Sequence, residues 1–170
     1  MNMKLIFPTI EHKQDALAYR QEHLDIGEMH IHGSGYLNNA ESFEGWLGKI
    51  QEDVTRDDGR IVPATTYFAI VDGKIVGMVN IRHKLNDFLI NHGGHVGYGV
   101  RPNQRRKGYA TKILALALEK CRGLEIDKVL VTCDKGNIAS AKTIINNGGV
   151  FENEHTDKNG EVTRRYWITL

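Results

Sequence analysis

The segment that decides the fold runs from His95 to Leu118 and reads HVGYGVRPNQRRKGYATKILALAL. Its first six residues are typical of a strand, and the two glycines within them indicate a bulge or a close approach of another backbone. A basic turn follows. The stretch from Val100 to Leu118 contains several Arg and Lys residues and no Asp or Glu. Apolar residues then recur at helical spacing from Ala110 to Cys121. The segment therefore predicts a strand, a basic loop and a long helix in direct succession.

The basic loop has the chemistry of an anion site. The first turn of a helix leaves backbone N–H groups unpaired and carries the positive end of the helix dipole. Gly108 and the small Ala110 let an anion approach that backbone, and arginine side chains fit phosphate oxygens. Basic residues are unfavourable beside a helix N-terminus unless an anion binds there, so the loop predicts a phosphate site rather than a solvated turn. It matches neither GxxxxGK[ST] nor GxGxxG, which argues against the common nucleotide-binding loops.

Length and composition narrow the possible partners. The chain has 170 residues and a formal net charge of +1, which predicts one domain without a broad basic face for nucleic acid. Cys121 and Cys133 show no zinc or CxxC spacing, which is typical of reduced thiols in a cytoplasmic protein. No apolar run reaches the ~18 residues that span a membrane, and the N-terminal apolar run is too short for a signal peptide. We therefore expect a cytoplasmic protein with neither a membrane nor a nucleic-acid partner.

The other patterns give the order of elements. They predict a short first strand, helices over 10–24 and 41–56, a hairpin about Asp72–Gly73, a fifth strand in KVLVTCD, a helix capped by Asn137, and a final hairpin about Asn159–Gly160. The resulting order, β-α-α-β-β-β-α-β-α-β-β, favours a mixed α/β sheet with helices on both sides.

Two segments resemble the signatures of the GCN5-related N-acetyltransferases, the GNAT family. Residues 105–110, RRKGYA, resemble the family's motif A pattern [QR]-x-x-G-x-[GA]. Residues 137–151, NIASAKTIINNGGVF, resemble its second signature, and the order of elements is similar over the whole chain. The resemblance implies a single α/β (α+β) domain over residues 1–170, with one mixed, mostly antiparallel seven-stranded sheet and about four helices on both faces.

The resemblance implies acetyl-coenzyme A as co-substrate and no metal. The pyrophosphate of coenzyme A would bind the loop residues Arg105, Arg106, Lys107, Gly108, Tyr109 and Ala110.

The remainder of the cofactor would lie along strand four. Its pantetheine would occupy a gap beside Tyr98, Gly99 and Val100, where the fourth strand splays from the fifth. Asn137 matches the asparagine that contacts the cofactor in the family, and Ser140 lies on the same helix face. These positions are expectations that the resemblance carries over residue by residue.

The expected chemistry is direct attack of a neutral amine on a thioester. Many family members carry a tyrosine acid seven residues after the asparagine, where this chain has Ile144. Tyr98 and Tyr109 are the nearby alternatives for that acid. His95 stands where some members place a glutamate base, and a histidine titrates near neutral pH. We therefore treat His95 and Tyr98 as the candidate catalytic residues.

The acceptor, a primary amine of a small molecule or peptide, is expected to bind beside the loop that follows the first helix. That loop offers Glu28, His30, His32 and Tyr36, while Asn80 and Arg82 share one face of the third strand. The His-x-His pair has no visible third ligand, so no metal site is predicted. Apolar residues near the C-terminus would permit a homodimer.

A second interpretation is a module that binds coenzyme A without catalysis, as a sensor or interaction protein. The isoleucine at position 144 and the missing strand-four glutamate favour it. A third interpretation, a nucleic-acid binder using the basic loop, is disfavoured by the low net charge and the absence of a stacking-aromatic motif.

Overall fold

The computed structural model describes residues 2–170 and confirms the predicted mixed α/β fold. Its elements are β1 (Lys4–Ile6), α1 (Lys13–Asp25), α2 (Phe43–Asp53), β2 (Ala64–Val71), β3 (Lys74–Arg82), α3 (Asp87–Asn91), β4 (Val96–Val100), α4 (Tyr109–Gly123), β5 (Lys128–Asp134), α5 (Ile138–Asn146), β6 (Val150–Thr156) and β7 (Val162–Thr169). The short helix α3 replaces a predicted connection, because the Asn86 side chain accepts a hydrogen bond from the Leu89 N–H at 2.9 Å and caps a first turn.

The seven strands form two antiparallel sheets rather than the continuous one expected. The first sheet has the order β1-β2-β3-β4 and the second has the order β5-β7-β6. β4 and β5 are the edges that face each other, and no strand ladder joins them within residues 2–170. The sequence patterns predict the strands themselves, whereas the break between sheets depends on contacts between residues distant in the chain.

One contact joins the two sheets just before β4 begins. The His95 backbone N–H donates to the Leu130 carbonyl at 2.8 Å, and the Leu130 N–H donates to His95 Nδ1 at 2.9 Å. An isolated bridge pairs Gly94 with Val131 beside it. A Cβ on Gly94 would lie 2.4 Å from the Leu130 carbonyl oxygen, so only glycine permits this approach. Beyond this point no ladder pairs β4 with β5 within residues 2–170, and we call the gap between these two edges the cleft.

Apolar residues bury both faces of the first sheet. On one face Val79 and the β5 residue Val129 pack with Ile113 and Leu114 of α4. On the other face α1 and α2 contribute a second cluster, which includes Tyr19, Trp46, Phe68 and Met78. Full burial of each large side chain stabilises the fold by roughly 1.5–3 kcal/mol. The two clusters therefore hold β3 and β4 rigidly between helices.

Arg101 fixes α1 to the end of β4. Its guanidinium donates to Asp15 at 2.6 Å, to Glu22 at 2.8 Å and to the Ile75 carbonyl at 3.1 Å. Asp15 also accepts from the Ile75 N–H at 2.7 Å, which ties the same helix to β3. Because α1 is held there, the loop that follows it begins beside β4.

The His95 contact predicts a specific pH dependence of stability. Burial lowers the pKa of His95 from 6.5 to about 4, with a smaller contribution from Arg82. Between those pH values the unfolded chain binds a proton that the folded chain does not, so stability is complete above pH 6.5 and falls as the pH drops toward 4. The full loss amounts to about 3 kcal/mol. Urea denaturation of the wild type at pH 7.5 and 4.5 measures it.

Two variants separate the proton from the hydrogen bond. His95→Asn retains an acceptor for the Leu130 N–H but does not titrate, so its stability should fall less than that of the wild type between pH 7.5 and 4.5. His95→Ala removes the acceptor and should cost about 1–3 kcal/mol at neutral pH. An identical pH dependence in the wild type and His95→Asn would refute the assignment.

Candidate functional site

The cleft between β4 and β5 exposes backbone hydrogen-bonding groups of β4. In an antiparallel pair, successive residues alternate between bonding to the partner strand and pointing away from it. The Arg101 N–H donates to the Val76 carbonyl at 2.8 Å, so the N–H groups of Tyr98 and Val100 point away from β3 and into the cleft. The Val100 carbonyl on that side already accepts from Arg105 Nε at 3.2 Å. The cleft therefore offers free donors along one wall.

The basic loop lies where the cleft meets α4. Gly108 takes the left-handed conformation, with φ of 77°, directly before the helix, and Arg106 also has a positive φ of 61°. No atom within residues 2–170 accepts a hydrogen bond from the N–H groups of Arg106, Lys107 or Gly108. A Cβ on Gly108 would have no atom within 4 Å, and the first turn of α4 carries no acid. This backbone is therefore accessible to a ligand, and the anion site remains a prediction of the sequence.

The cations of the loop have different partners. Arg105 donates two hydrogen bonds to Glu28, both at 2.7 Å, and this pairing lowers the pKa of Glu28 to about 2. Arg106 and Lys107 are exposed, and within residues 2–170 the Lys107 ammonium donates only to the neutral Gln104 side chain, at 2.9 Å. The charge that remains for a ligand therefore comes from Arg106 and Lys107, whereas Arg105 supports the loop.

Glu28 differs from its expected place in an acceptor pocket. Besides Arg105, it contacts Nδ1 of the buried His23 at 2.7 Å. Its carboxylate thus links α1 to the basic loop and is occupied by two partners. The pairing joins residues 77 positions apart in the chain, and no local pattern in the sequence indicates it.

Tyr98, Asn137 and Ser140 meet on the other side of the cleft. The Tyr98 hydroxyl lies 2.9 Å from Ser140 Oγ, and burial raises the pKa of Tyr98 to about 12. Asn137 Oδ1 accepts from the Ser140 N–H at 3.0 Å and caps α5, which leaves the Asn137 amide NH₂ without a partner in the described chain. Ile144 is fully buried in the core. A tyrosine hydroxyl from β4 thus reaches α5 one turn before Ile144.

The geometry of His95 does not fit a catalytic base. Its Nδ1 accepts a backbone hydrogen bond, its ring is buried, and its pKa of about 4 reflects that burial. The neutral ring therefore carries its proton on Nε2, and its only basic nitrogen is occupied. Tyr109, the alternative acid, packs against the core cluster around α4.

The loop after α1 crosses β4 at its glycines. A Cβ on Gly99 would lie 2.7 Å from the His32 carbonyl oxygen, and a Cβ on Gly33 would lie 2.8 Å from the Gly97 carbonyl oxygen. The strand and the loop therefore contact each other backbone to backbone. The sequence analysis does not single out Gly33, although the glycine-rich composition of the loop is a signal for a close backbone contact of this kind.

His32 lies at this contact between the loop and β4, beside the cleft. Its Cβ lies 3.7 Å from the Cβ position of Gly99, its ring packs edge-on against His30 at 4.6 Å, and both rings are exposed. Although His32 is an exposed residue, partial removal of its ring from water, followed by the charge of the neighbouring His30, lowers the pKa of His32. No cluster of three His, Cys, Asp or Glu side chains suited to a metal ion occurs in residues 2–170.

Asn80 and Arg82 lie on the same face as the crossing loop. Asn80 donates to Thr66 Oγ1 at 3.0 Å, and a Cβ on Gly35 would lie 2.9 Å from that oxygen. A Cβ on Gly97 would lie 3.2 Å from the Arg82 guanidinium. Tyr36 follows Gly35 with an exposed ring and a positive φ of 65°. The structure thus places the predicted acceptor residues His30, Tyr36, Asn80 and Arg82 around the crossing, and Glu28 apart from them.

Solved structures of acetyltransferases share the fold of this chain. RimL, a ribosomal L7/L12 alpha-N-protein acetyltransferase solved with coenzyme A, is 15% identical, with a TM-score of 0.73 over 100% of this chain and 95% of that one. The microcin C7 self-immunity acetyltransferase MccE, solved with acetyl-CoA and AMP, is 16% identical, with a TM-score of 0.70 over 99% and 92%. The protein yncA from Salmonella typhimurium, solved with acetyl-CoA, is 13% identical, with a TM-score of 0.68 over 99% and 94%. At these identities the likeness shows the shared fold.

No curated protein sequence matches this chain. No helix within residues 2–170 has the length and apolar character needed to span a membrane. The family model described as "Acetyltransferase (GNAT) family" matches residues 35–144, which include β4, the basic loop and Asn137. Since this match covers more than half of the chain, the protein belongs to the GNAT family of acetyltransferases.

Proposed function

We propose that the protein is an N-acetyltransferase that moves an acetyl group from acetyl-coenzyme A to a primary amine of a small molecule or peptide. The observation that carries this proposal is the cleft itself, because its free backbone donors lead directly into an open loop of amides with two available cations. That arrangement suits a long ligand with amide groups at one end and a pyrophosphate at the other. When bound, acetyl-coenzyme A supplies an acetyl group already activated as a thioester.

The loop holds the pyrophosphate in this proposal. The free N–H groups from Arg106 to Ala110 point at an anion, and the helix dipole of α4 adds to their attraction. Arg106 and Lys107 contribute charge from the exposed side. The pairing of Arg105 with Glu28 keeps the loop in place before the ligand arrives.

Backbone groups of β4 bind and polarise the donor. The N–H groups of Tyr98 and Val100 face the cleft, where they can bond to pantetheine amides or to the thioester oxygen. A fixed donor there stabilises the negative charge that develops on that oxygen during attack. The free amide of Asn137 faces the same ligand from α5.

Tyr98 is the proposed acid. Its raised pKa of about 12 keeps the hydroxyl protonated at neutral pH, and Ser140 holds it at 2.9 Å. The thiolate that leaves when the C–S bond breaks can take this proton. Tyr98 would then perform from β4 the role that the family tyrosine performs from the position of Ile144.

His32 is the proposed proton acceptor for the amine. His95 is unsuited because Leu130 occupies its Nδ1. The His32 ring makes no hydrogen bond within residues 2–170, and its lowered pKa keeps it neutral at pH 7. It can accept the proton that the amine nitrogen loses as the new C–N bond forms.

The alternative is a module that binds coenzyme A without transfer. The buried Ile144 and the occupied His95 favour it, since both stand where other family members place catalytic groups. Thiol release from acetyl-coenzyme A, measured with a panel of amines, polyamines and amino acids, distinguishes the two. Tight binding without turnover of any acceptor would favour the module.

The loop assignment predicts the effect of reversing its charge. Arg106→Glu combined with Lys107→Glu should weaken acetyl-coenzyme A binding by about 10- to 100-fold, because charge-assisted contacts are lost. Calorimetric titration measures the affinity. Arg122→Glu with Lys128→Glu is the matched control, with the same change in net charge at the far end of α4. Equal affinity for the loop variant and the control would contradict the assignment.

Replacing Tyr98 tests the acid. Tyr98→Phe should lower kcat by about 10²-fold, while the affinity for acetyl-coenzyme A changes little because only a hydroxyl is removed. The same change at Tyr109 should have a much smaller effect on kcat. Steady-state kinetics of both variants decide between the two tyrosines, and an unchanged kcat in Tyr98→Phe would remove it from the mechanism.

Replacing His32 tests the base. If the amine and His32 must both be neutral, log(kcat/KM) rises with a slope of 2 below the pKa of His32 and with a slope of 1 above it. This break should lie below pH 6.5, since the pKa of His32 is lowered. His32→Gln should show a slope of 1 throughout and a rate lower by about 10²-fold, whereas the control His30→Gln keeps the break. A break that survives in His32→Gln would exclude this role.

A further inference from the structure

Arg82 carries a half-buried positive charge that no carboxylate balances. Its Nη1 donates to the Gly93 carbonyl at 3.1 Å, and this is its only hydrogen bond within residues 2–170. A guanidinium has five N–H donors, so four remain without a protein partner. Burial lowers the pKa of Arg82, as expected for a cation that packing has partly removed from water.

Arg60, Arg106 and Arg122 have no ion pair within residues 2–170, but all three are exposed. The less exposed arginines are mostly paired with acids. Arg101 contacts Asp15 and Glu22, Arg105 contacts Glu28, and Arg165 contacts Glu152. Arg20 also lacks an acid, but it lies on α1 and ties down two loop carbonyls, those of Leu37 and Ala40. An unpaired, partly desolvated guanidinium is unfavourable unless an anion completes it. Arg82 is therefore the position in this fold that most requires an anionic ligand.

Arg82 also lies beside the proposed reaction centre. The Cβ position of Gly97 is 3.2 Å from its Nη1 and 3.4 Å from its Nη2, so the missing side chain makes room for the guanidinium against β4. Tyr98, whose N–H faces the cleft, is the next residue, and residues of a strand are spaced by ~3.3 Å. A carboxylate held by Arg82 would thus lie close to the part of β4 where the Tyr98 N–H faces the cleft.

The neighbouring groups suit a small polar acceptor. Asn80 lies two residues before Arg82, on the same face of β3. The α1–α2 loop, which carries His32 and Tyr36, packs over that face where it contacts β4. The surface therefore combines a cation, an amide and an aromatic ring next to the proposed proton acceptor.

We propose that Arg82 binds a carboxylate of the acceptor, so that the substrates are amines carrying a carboxylate a few bonds from the nitrogen, as in amino acids. This inference rests on the proposed acetyl transfer and names its substrate class. Arg82 orients the acceptor, whose nitrogen forms the new C–N bond as the C–S bond breaks and its proton passes to His32. Arginine suits this role because its planar donors match both carboxylate oxygens.

Turnover of matched acceptors tests the proposal. The panel pairs each of the common L-amino acids with its amide, which keeps the amine and removes the carboxylate charge. The wild type should show a kcat/KM about 10- to 150-fold higher for the acid member of at least one pair, the range expected for hydrogen bonds to a charged group. Arg82→Gln should abolish this preference, and Arg82→Lys should restore part of it.

Two controls separate binding from folding. Arg20→Gln removes the other half-buried arginine that has no acid partner within residues 2–170, and it should leave the preference for the carboxylate intact. The melting temperature and the acetyl-coenzyme A affinity of Arg82→Gln should remain near those of the wild type, because its one internal bond is to a turn carbonyl. If Arg82→Gln loses both its thermal stability and its affinity for acetyl-coenzyme A, Arg82→Lys, which retains the charge, is compared with the wild type instead.

An equilibrium measurement distinguishes failure of this inference from failure of transfer. N-acetyl amino acids and their amides are titrated calorimetrically into the complex with coenzyme A. Tighter binding of an acid by the wild type, lost in Arg82→Gln, supports the carboxylate site even if no acceptor turns over, in which case transfer alone fails. Equal binding and equal turnover of acids and amides, or a preference that survives in Arg82→Gln, would overturn the proposal.

Discussion

The arrangement of the site depends on the one contact that joins the two sheets. His95 and Leu130 exchange two hydrogen bonds at the start of β4, and β4 and β5 diverge beyond them. A longer ladder would occupy the N–H groups of Tyr98 and Val100 and close the cleft. No contact at all would leave those groups on an unsupported edge. His95, which is buried and has its Nδ1 occupied, therefore has a structural role where the two sheets separate. The proposed chemistry lies further along β4.

Glycines and paired charges then position the two sides of the cleft. Gly97 and Gly99 let the α1–α2 loop rest on β4, since any Cβ there would meet the Arg82 guanidinium or the His32 carbonyl. Arg101 holds α1 beside the end of β4, and Glu28 connects that helix to Arg105 in the basic loop. The basic loop, proposed to bind the donor, and the α1–α2 loop, proposed to meet the acceptor, are thus supported by a single set of ion pairs. Replacing Glu28 would therefore disturb both the basic loop and the α1–α2 loop.

The placement of charge differs between the two sides of the cleft, which suits the two ligands proposed. Acids neutralise Arg101 and Arg105, whose roles are structural, whereas Arg106 and Lys107 remain exposed at the free amides of α4. Arg82 remains unpaired on the opposite side, next to Gly97. Both unbalanced positions are where the proposed reaction requires an anion, the pyrophosphate of the donor and the carboxylate of the acceptor. The low net charge of the chain therefore coexists with two local cationic sites.

The sequence by itself determined the strands, the main helices and the basic loop, because each depends on neighbours within one or two turns: apolar spacing in α4, the glycine and cations before it, and the Asn137 cap. Its alternation also predicted that Asn80 and Arg82 share one face of β3. Only the tertiary structure decided that β4 separates from β5, that His95 is occupied by Leu130, that Glu28 pairs with Arg105, and that Arg82 has no acid beside it. The two pairings among these features join residues 35 and 77 positions apart. Hydrogen bonds and ion pairs over such separations leave no periodic trace in the sequence, since they depend on how packed elements bring side chains together.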